Sequence, residues 1–353
     1  MGLAEPRWWY RETPTAMARL LQPVAAVWSA AAERRFRRAA GHRLPVPVVC
    51  VGNFTAGGTG KTPTAILIAH EFNRLGVKPA FLSRGYGGRL AGPHWVAPSC
   101  DLAADVGDEP LLLARTAPVM IARDRAEGGR AIVATGAGHG AIVMDDGLQN
   151  GSLAKDIVVA VVDGRRGIGN GLVMPAGPLR AALAFQLSLV DVVVVNQPEQ
   201  AEPTMGAFTH WLRDHFGGPV LSATTRPTGD TSWIAAGPLL AFSGIGAPER
   251  FFGLVERLGG EIVGRRAFAD HHAFSPTEAV ALLDDARRSG ATLCTTEKDW
   301  VRLTDDGALG DLKAQAKVLA VRLDLADRDV LRLRGLIEAL FAVGSRTPGG
   351  GGV

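Results

Sequence analysis

Residues 46–69 read VPVVCVGNFTAGGTGKTPTAILIA, and this stretch decides the fold. Val46, Val48, Val49 and Val51 form a short β-branched run that predicts a buried strand. A glycine-rich turn follows (Gly57, Gly58, Gly60), then Lys61 and Thr62, then an apolar helix start at Ala65 to Ala69. Strand, loop and helix in that order are the signature of a phosphate-binding P-loop. Glycines let backbone N–H groups crowd a phosphate with no Cβ in the way, and the helix N-terminus adds partial positive charge. Thr55, Ala56, Gly57, Gly58, Thr59, Gly60, Lys61 and Thr62 are the expected cradle, with Lys61 reaching β- and γ-phosphates and the Thr62 hydroxyl on Mg²⁺. Thr55 stands where such loops usually have their first glycine.

Working outward, further apolar runs end in polar residues. Pro79 to Leu82 ends at Ser83-Arg84-Gly85-Tyr86-Gly87, Ala141 to Met144 at Asp145-Asp146-Gly147, Ile157 to Val162 at Asp163, and Val192 to Val195 at Asn196. Continuous apolar runs predict strands covered on both faces. Glu109 to Arg115 and Arg125 to Ala134 predict helices between them. The architecture expected is a P-loop NTPase-type, doubly wound, mostly parallel α/β sheet with its site beyond the carboxyl ends of the strands. Ala141 to Asp146 has the form of a Walker B strand, whose acids, Asp145 or Asp146, would hold Mg²⁺ beside Thr62. Asp108, in Gly107-Asp-Glu-Pro110, has two readings: a base for an attacking hydroxyl, or the cap of the helix that begins at Glu109-Pro110. The long loop from Gly167 to Arg180 is of a length that is usually functional, and Arg180 would pair with a phosphate or lie solvated.

At 353 residues with 47% hydrophobic content, the chain is long enough for two cored domains and is not a disordered protein. A net charge of +3 gives no argument for nucleic acid. Cys50, Cys100 and Cys294 have no metal-ligand spacing and read as buried, reduced thiols of a cytosolic compartment. No secretory signal or uninterrupted transmembrane run is evident.

Five parts are expected. Residues 1–44 hold Trp8, Trp9 and Tyr10, an apolar helical face (Met17, Leu20, Leu21, Val24, Val27, Trp28) kinked at Pro23, and a basic block from Arg34 to Arg43. That combination suits a helix in a membrane interface; a helix packed on the domain is the alternative. Residues 45–225 form the nucleotide domain, and 226–317 a smaller α/β/α domain of βαβαβ type, entered through a connector at 226–230. Residues 318–346 are a returning linker strand and a closing helix, and 347–353 a glycine-rich disordered tail. In the smaller domain, Ser275 and Glu278 fit a capping box. The pair His271-His272 is a poor zinc site, since adjacent residues seldom share one ion. A histidine brought against Asp108 by domain closure fits better. Lys298 would meet a phosphate or form a surface ion pair.

Taken together, Val51–Pro63 (VGNFTAGGTGKTP), Ser83–Gly87 (SRGYG), Gly107–Pro110 (GDEP), Asp145–Gln149 (DDGLQ), Gly169–Gly171 (GNG), Pro175–Arg180 (PAGPLR), Asp270-His271 and Thr296–Asp299 (TEKD) resemble, in this order, the tetraacyldisaccharide 4'-kinase family of Gram-negative bacteria. The resemblance runs to about residue 305. It implies transfer of the γ-phosphate of ATP, with Mg²⁺, to the 4'-hydroxyl of an acylated glucosamine disaccharide 1-phosphate, giving lipid IVA. It also implies a peripheral enzyme, held by its N-terminal helix on the cytoplasmic face of the inner membrane, with no nucleic-acid partner; a monomer is expected. The family's catalytic aspartate and partnering histidine carry onto Asp108 and His271, its P-loop roles onto Lys61 and Thr62, and its Walker B acids onto Asp145 and Asp146. Arg84, Arg125 and Arg180 are the expected contacts to lipid phosphate or headgroups. Leu148 and Asn150 replace the family's usual Phe and His, and Ala181 replaces a Glu after Gly-Pro-Leu-Arg, which puts metal affinity in question. A membrane-associated P-loop ATPase switch with no lipid acceptor is the competing reading, and a soluble small-metabolite kinase a third. A switch has no need of a base for a sugar hydroxyl, and the N-terminal segment weakens the third.

Overall fold

The computed structural model describes residues 5–11, 13–197 and 203–342; the expected tail at 347–353 lies outside them. Thirteen strands are described: β1 (Val48–Gly52), β2 (Pro79–Ser83), β3 (His94–Trp95), β4 (Val119–Ile121), β5 (Ala141–Asp145), β6 (Ile157–Asp163), β7 (Val192–Gln197), β8 (Val220–Pro227), β9 (Pro238–Ser243), β10 (Glu261–Ala267), β11 (Thr292–Thr296), β12 (Lys317–Leu319) and β13 (Val321–Leu325). Nine form one sheet in the order β13-β8-β7-β6-β1-β5-β2-β4-β3. Its interior is parallel; only the outer pairs β3–β4 and β13–β8 are antiparallel.

The apolar runs are continuous because both faces of this sheet are covered. Val49, Val51, Phe81, Val143 and Val159 pack on one side with Ile68 and Phe72 of the helix Lys61–Arg74. Their neighbours Val48, Cys50, Leu82, Ile142, Met144 and Val158 pack on the other with Leu148 and Leu153. The two-residue period of a strand thus feeds two cores. The strand β1 lies between β5 and β6, with Val51 opposite Asp145. This register brings the P-loop and the Walker B acid out at the same edge.

The other four strands form a parallel sheet, β10-β9-β11-β12, with a core that includes Leu240, Phe242, Leu282, Leu283 and Leu293. The Ser275–Glu278 capping box is present on the helix Pro276–Ser289. The strand expected from Val318 to Leu323 is two strands broken at Ala320: β12 belongs to the smaller sheet and β13 to the larger. The helix Asp327–Ala342 then packs Leu333 and Ile337 into the larger lobe's core, and Arg334 pairs with Glu71 at 2.7 Å. Residues 321–342 therefore complete the larger lobe. Thr228 N–H donates to Ala320 C=O at 3.0 Å, so the two passes between lobes run side by side.

The helix Ala16–Arg38 runs unbroken through Pro23. It does lie on the larger lobe, but through small residues: Ala18, Ala25 and Ser29 are buried, and Ser29 Oγ accepts the Ala182 N–H at 2.9 Å. Its large apolar residues point away, with Leu20 73% and Val27 72% exposed. Trp9 and Tyr10, expected in the same interface, dock inward. The Trp9 indole donates to Pro175 C=O at 3.1 Å, and Arg166 stacks over the Tyr10 ring at 4.7 Å. No described helix is long and apolar enough to cross a membrane. Of the cysteines, Cys50 and Cys294 are buried, whereas Cys100 is exposed.

Candidate functional site

The P-loop runs from Gly52 to the helix at Lys61. Gly57 and Gly60 have φ of 89° and 102°, a region closed to most side chains. A Cβ on Gly60 would meet Asn196 Nδ2 at 2.9 Å, and that same amide donates to Thr59 C=O at 3.3 Å. Thr55 is not in such a conformation. Its backbone pairs with Leu179 and the next N–H donates to Pro178 C=O at 2.8 Å, so an ordinary residue is tolerated where a glycine is usual. Lys61 and Thr62 are both buried at the helix start.

The two Walker B acids have opposite surroundings. Asp146 has φ 50° and is gripped by Arg180, whose Nη1 and Nη2 donate to its two oxygens at 2.7 and 3.2 Å, with Lys61 Nζ 4.0 Å away. Burial would raise its carboxyl, but Lys61, Arg180 and Arg125 outweigh that and hold it well below the usual range. Asp145 is fully buried and its Oδ1 has no partner. Burial, then Glu109 and Asp146, push its carboxyl up from 3.8 to about 7 against the pull of Lys61 and Lys298. An orphaned, buried carboxylate oxygen is the donor chemistry that suits a hard cation such as Mg²⁺, which keeps several waters as ligands, and the buried Thr62 at the helix start offers a further oxygen donor. Among the described residues no group of three His, Cys, Asp or Glu side chains offers a metal cage.

The raised carboxyl of Asp145 gives a testable sign. In the metal-free protein, the folded state keeps this proton after the unfolded chain has lost it. Asp145 therefore makes stability fall as pH rises from about 4 to about 7. Thermal melts across that window should show the fall relative to Asp145→Asn. Equal pH slopes in the two proteins would contradict it.

Asp108 is buried as the first residue of the helix Asp108–Leu113, with Gly107 as N-cap. Its side chain does not cap that helix: Oδ1 accepts only the adjacent Glu109 N–H, at 2.8 Å. The other oxygen, Oδ2, lies 3.1 Å from Nδ1 of His271, which comes from the smaller lobe. Burial would raise the Asp108 carboxyl, but His271, Arg302 and Lys298 outweigh it and hold the group well below the carboxylate range. The hydrogen bond to Asp108 raises His271 in turn, against burial. Asp146 and His271 are the non-glycine residues with positive φ among those described. Backbone strain of about 1–3 kcal/mol each is thus held at the site.

Sequence reasoning missed Arg302. Its Nε donates to Asp108 Oδ2 at 2.9 Å and its Nη2 bonds the same oxygen. The available signal was its place three residues after Asp299 in the 296–299 segment, where one helical turn joins the two. Lys298 does not face open phosphate space: it pairs with Glu109 at 2.8 Å. His272 pairs with Glu278 of the capping box at 3.0 Å.

The three arginines expected at the lipid separate. Arg84 is exposed, with no side-chain hydrogen bond among the described residues. Arg125 is buried, donating to Ala122 C=O at 2.7 Å with its Nε unpartnered, and burial pulls it down to about 10; it does not reach headgroups. Arg180 is committed to Asp146 and to Thr55 C=O rather than to an outer phosphate.

The sequence profile of the family LpxK, Tetraacyldisaccharide-1-P 4'-kinase, matches residues 17–338. The chain belongs to this 4'-kinase family. It is 50% identical over 338 residues to the Tetraacyldisaccharide 4'-kinase of Methylobacterium sp. (strain 4-46), covering 95% of this chain and 97% of that protein. Identity to the Tetraacyldisaccharide 4'-kinase of Rhodopseudomonas palustris (strain BisB5) is 45% over 340 residues, covering 96% and 97%. The fold is that of a crystal structure of LpxK from Aquifex aeolicus in complex with ATP, at a TM-score of 0.71 and 22% identity over 92% of this chain and 99% of that one. The chain is accordingly an ATP-dependent lipid A 4'-kinase with a lipid disaccharide as substrate.

The departures from the 4'-kinase pattern have local accounts. Leu148 is fully buried against Gly52, where a Cβ would stand 2.5 Å from Leu148 Cβ. Asn150 Oδ1 accepts from Ser152 N–H and hydroxyl at 3.0 and 2.8 Å, closing a turn. Ala181 is fully buried, and its C=O accepts from Gln186 Nε2 at 2.8 Å.

Proposed function

We propose that this 4'-kinase moves the γ-phosphate of ATP to the 4'-hydroxyl of a tetraacylated glucosamine disaccharide 1-phosphate in the cleft between its two lobes. The observation that carries the reading is the contact of Asp108, from the nucleotide lobe, with His271, from the smaller lobe. Lys61 pulls down the carboxyls of Glu109, Asp145 and Asp146, and Glu109 pushes Asp145 up, so the P-loop and the Asp108 turn share one electrostatic site.

The P-loop amides and Lys61 hold the β- and γ-phosphates. Of the two Walker B acids, Asp145 would hold Mg²⁺, with Thr62, because its Oδ1 is unpartnered whereas each Asp146 oxygen accepts from Arg180; the ion would supply positive charge to the phosphates. The sugar hydroxyl oxygen bonds to the γ-phosphorus, the bond from that phosphorus to the β,γ-bridging oxygen breaks, and ADP leaves. Asp108 enters the step ionised and accepts the hydroxyl proton. A weak base suffices, because the loose transition state releases that proton late. His271 holds the carboxylate and shares the proton. Arg84, which is exposed, is the proposed contact for a substrate phosphate.

The test is transfer of label from γ-labelled ATP with Mg²⁺ in detergent micelles onto the tetraacyldisaccharide 1-phosphate, with Lys61→Ala as the blank. Label on the lipid, lost in the blank, is expected. Label released only as free phosphate would overturn the acceptor assignment.

We further infer that the enzyme sits peripherally on the cytoplasmic face of the inner membrane. The outward face of the helix Ala16–Arg38 (Met17, Leu20, Val24, Val27, Trp28) meets lipid, with arginines in its last turn on anionic headgroups. Deleting residues 1–40 would be a poor test, because Trp9 and Ser29 bond the nucleotide lobe. The pair Leu20→Glu and Val27→Glu spares those contacts. It should cut binding to anionic vesicles at least tenfold while ATP binding in solution stays unchanged; undiminished vesicle binding would contradict the membrane face.

A further inference from the structure

We propose that Arg302 is the positioning residue of Asp108, fixing which carboxylate oxygen faces the acceptor hydroxyl. The inference rests on the reading of Asp108 as the base. The arginine side chain is 4% exposed and has four anchors. Its Nε and Nη2 both donate to Asp108 Oδ2, and its Nη1 donates to Gly244 C=O at 2.7 Å and to Asp299 Oδ1 at 2.9 Å.

Asp299 is itself immobilised. It is fully buried and accepts from Ser243 Oγ at 3.0 Å, Gly244 N–H at 2.8 Å and Thr296 Oγ1 at 2.6 Å. The ends of β9 and β11 thus lock the guanidinium from behind. Only an arginine can face three acceptors on different sides at once, because its five donors form a rigid planar fork.

The consequence lies in the division of labour between the two oxygens. His271 and Arg302, both from the smaller lobe, converge on Oδ2. That leaves Oδ1 with one backbone N–H and a lone pair to spare. The hydroxyl is therefore met by Oδ1, at an angle set by the arginine. Next to it, Lys298 clamps Glu109, so both acids of the Asp-Glu-Pro turn are held by one short segment of the opposite lobe, Lys298 to Arg302. Without Arg302 the carboxylate keeps only His271 and the Glu109 N–H and loses the guanidinium that sets its angle, and misplacement on the scale of 1 Å costs about a hundredfold in rate.

The experiment measures kcat and KM for ATP in Arg302→Met, Arg302→Lys, Asp108→Ala and the double variant Asp108→Ala/Arg302→Met. Arg302→Met should lower kcat about a hundredfold with KM for ATP within about threefold. Arg302→Lys should recover about tenfold of that loss. The double variant should be no slower than Asp108→Ala, because a residue that acts through Asp108 has nothing left to position. A further loss in the double variant, or near-normal kcat in Arg302→Met beside a crippled Asp108→Ala, overturns the positioning role alone. Normal turnover in Asp108→Ala instead overturns the base reading and this inference with it. Should Arg302→Met fail to fold, Arg302→Lys decides. An ammonium cannot reach Asp108, Asp299 and Gly244 together, so kcat falls about tenfold at unchanged KM, and an unchanged kcat refutes the proposal.

Discussion

Asp108→Ala is expected to lower the rate of phosphate transfer about a thousandfold, in the middle of the range for a removed general base. Affinity for ATP should stay within a few-fold, because Asp108 touches His271, Arg302 and the Glu109 N–H, none of them in the P-loop. The substitution also strips the buried Arg302 of one of its two carboxylates and leaves it Asp299, so it destabilises the fold by less than the about 3–5 kcal/mol of an uncompensated buried charge. Asp108→Asn separates the two effects: it keeps the volume and an oxygen for Arg302 but cannot take a proton. Both variants should bind nucleotide in a titration and fail in single-turnover transfer. Loss of ATP binding with normal turnover at saturation would remove Asp108 from the chemistry.

Lys61→Ala should affect both parameters. Its side chain is buried among carboxylates, 4.0 Å from Asp146 and within electrostatic reach of Asp145 and Glu109. Removing it takes away the cation for the β- and γ-phosphates. Turnover should fall on the order of a hundredfold or more, comparable to the loss of an oxyanion donor, and ATP affinity should fall with it. The contrast is diagnostic: Asp108→Ala moves kcat alone, Lys61→Ala moves kcat and nucleotide binding together. Lys61→Ala with unaltered ATP affinity would place the triphosphate elsewhere.

Local chemistry was legible from the chain. The strand–glycine–lysine–helix order at 46–69 sets its own geometry through backbone preference, and it appears as β1, the P-loop and the helix Lys61–Arg74. The continuous valine runs could be read as doubly covered strands because burial on two faces leaves no room for alternation. Short elements escaped: β4 has three residues and β3 two, too few for any period to show. The apolar stripe of the N-terminal helix was visible, but not that the helix seats itself on Ala18, Ala25 and Ser29, since small residues carry little signal in a hydrophobic pattern.

The sequence by itself determined the lobe type, the P-loop, the Walker B strand and the candidacy of Asp108 and His271, because each is a short run whose residue types imply its chemistry. The tertiary structure decided which side chains answer one another: Arg180 with Asp146, Lys298 with Glu109, Arg302 with Asp108. It also decided that the return strand splits at Ala320 between two sheets. These pairings join residues 34, 189 and 194 positions apart. Charge attraction acts over a few ångströms through space and leaves no periodic trace along the chain, so only the folded arrangement of the two lobes could show them.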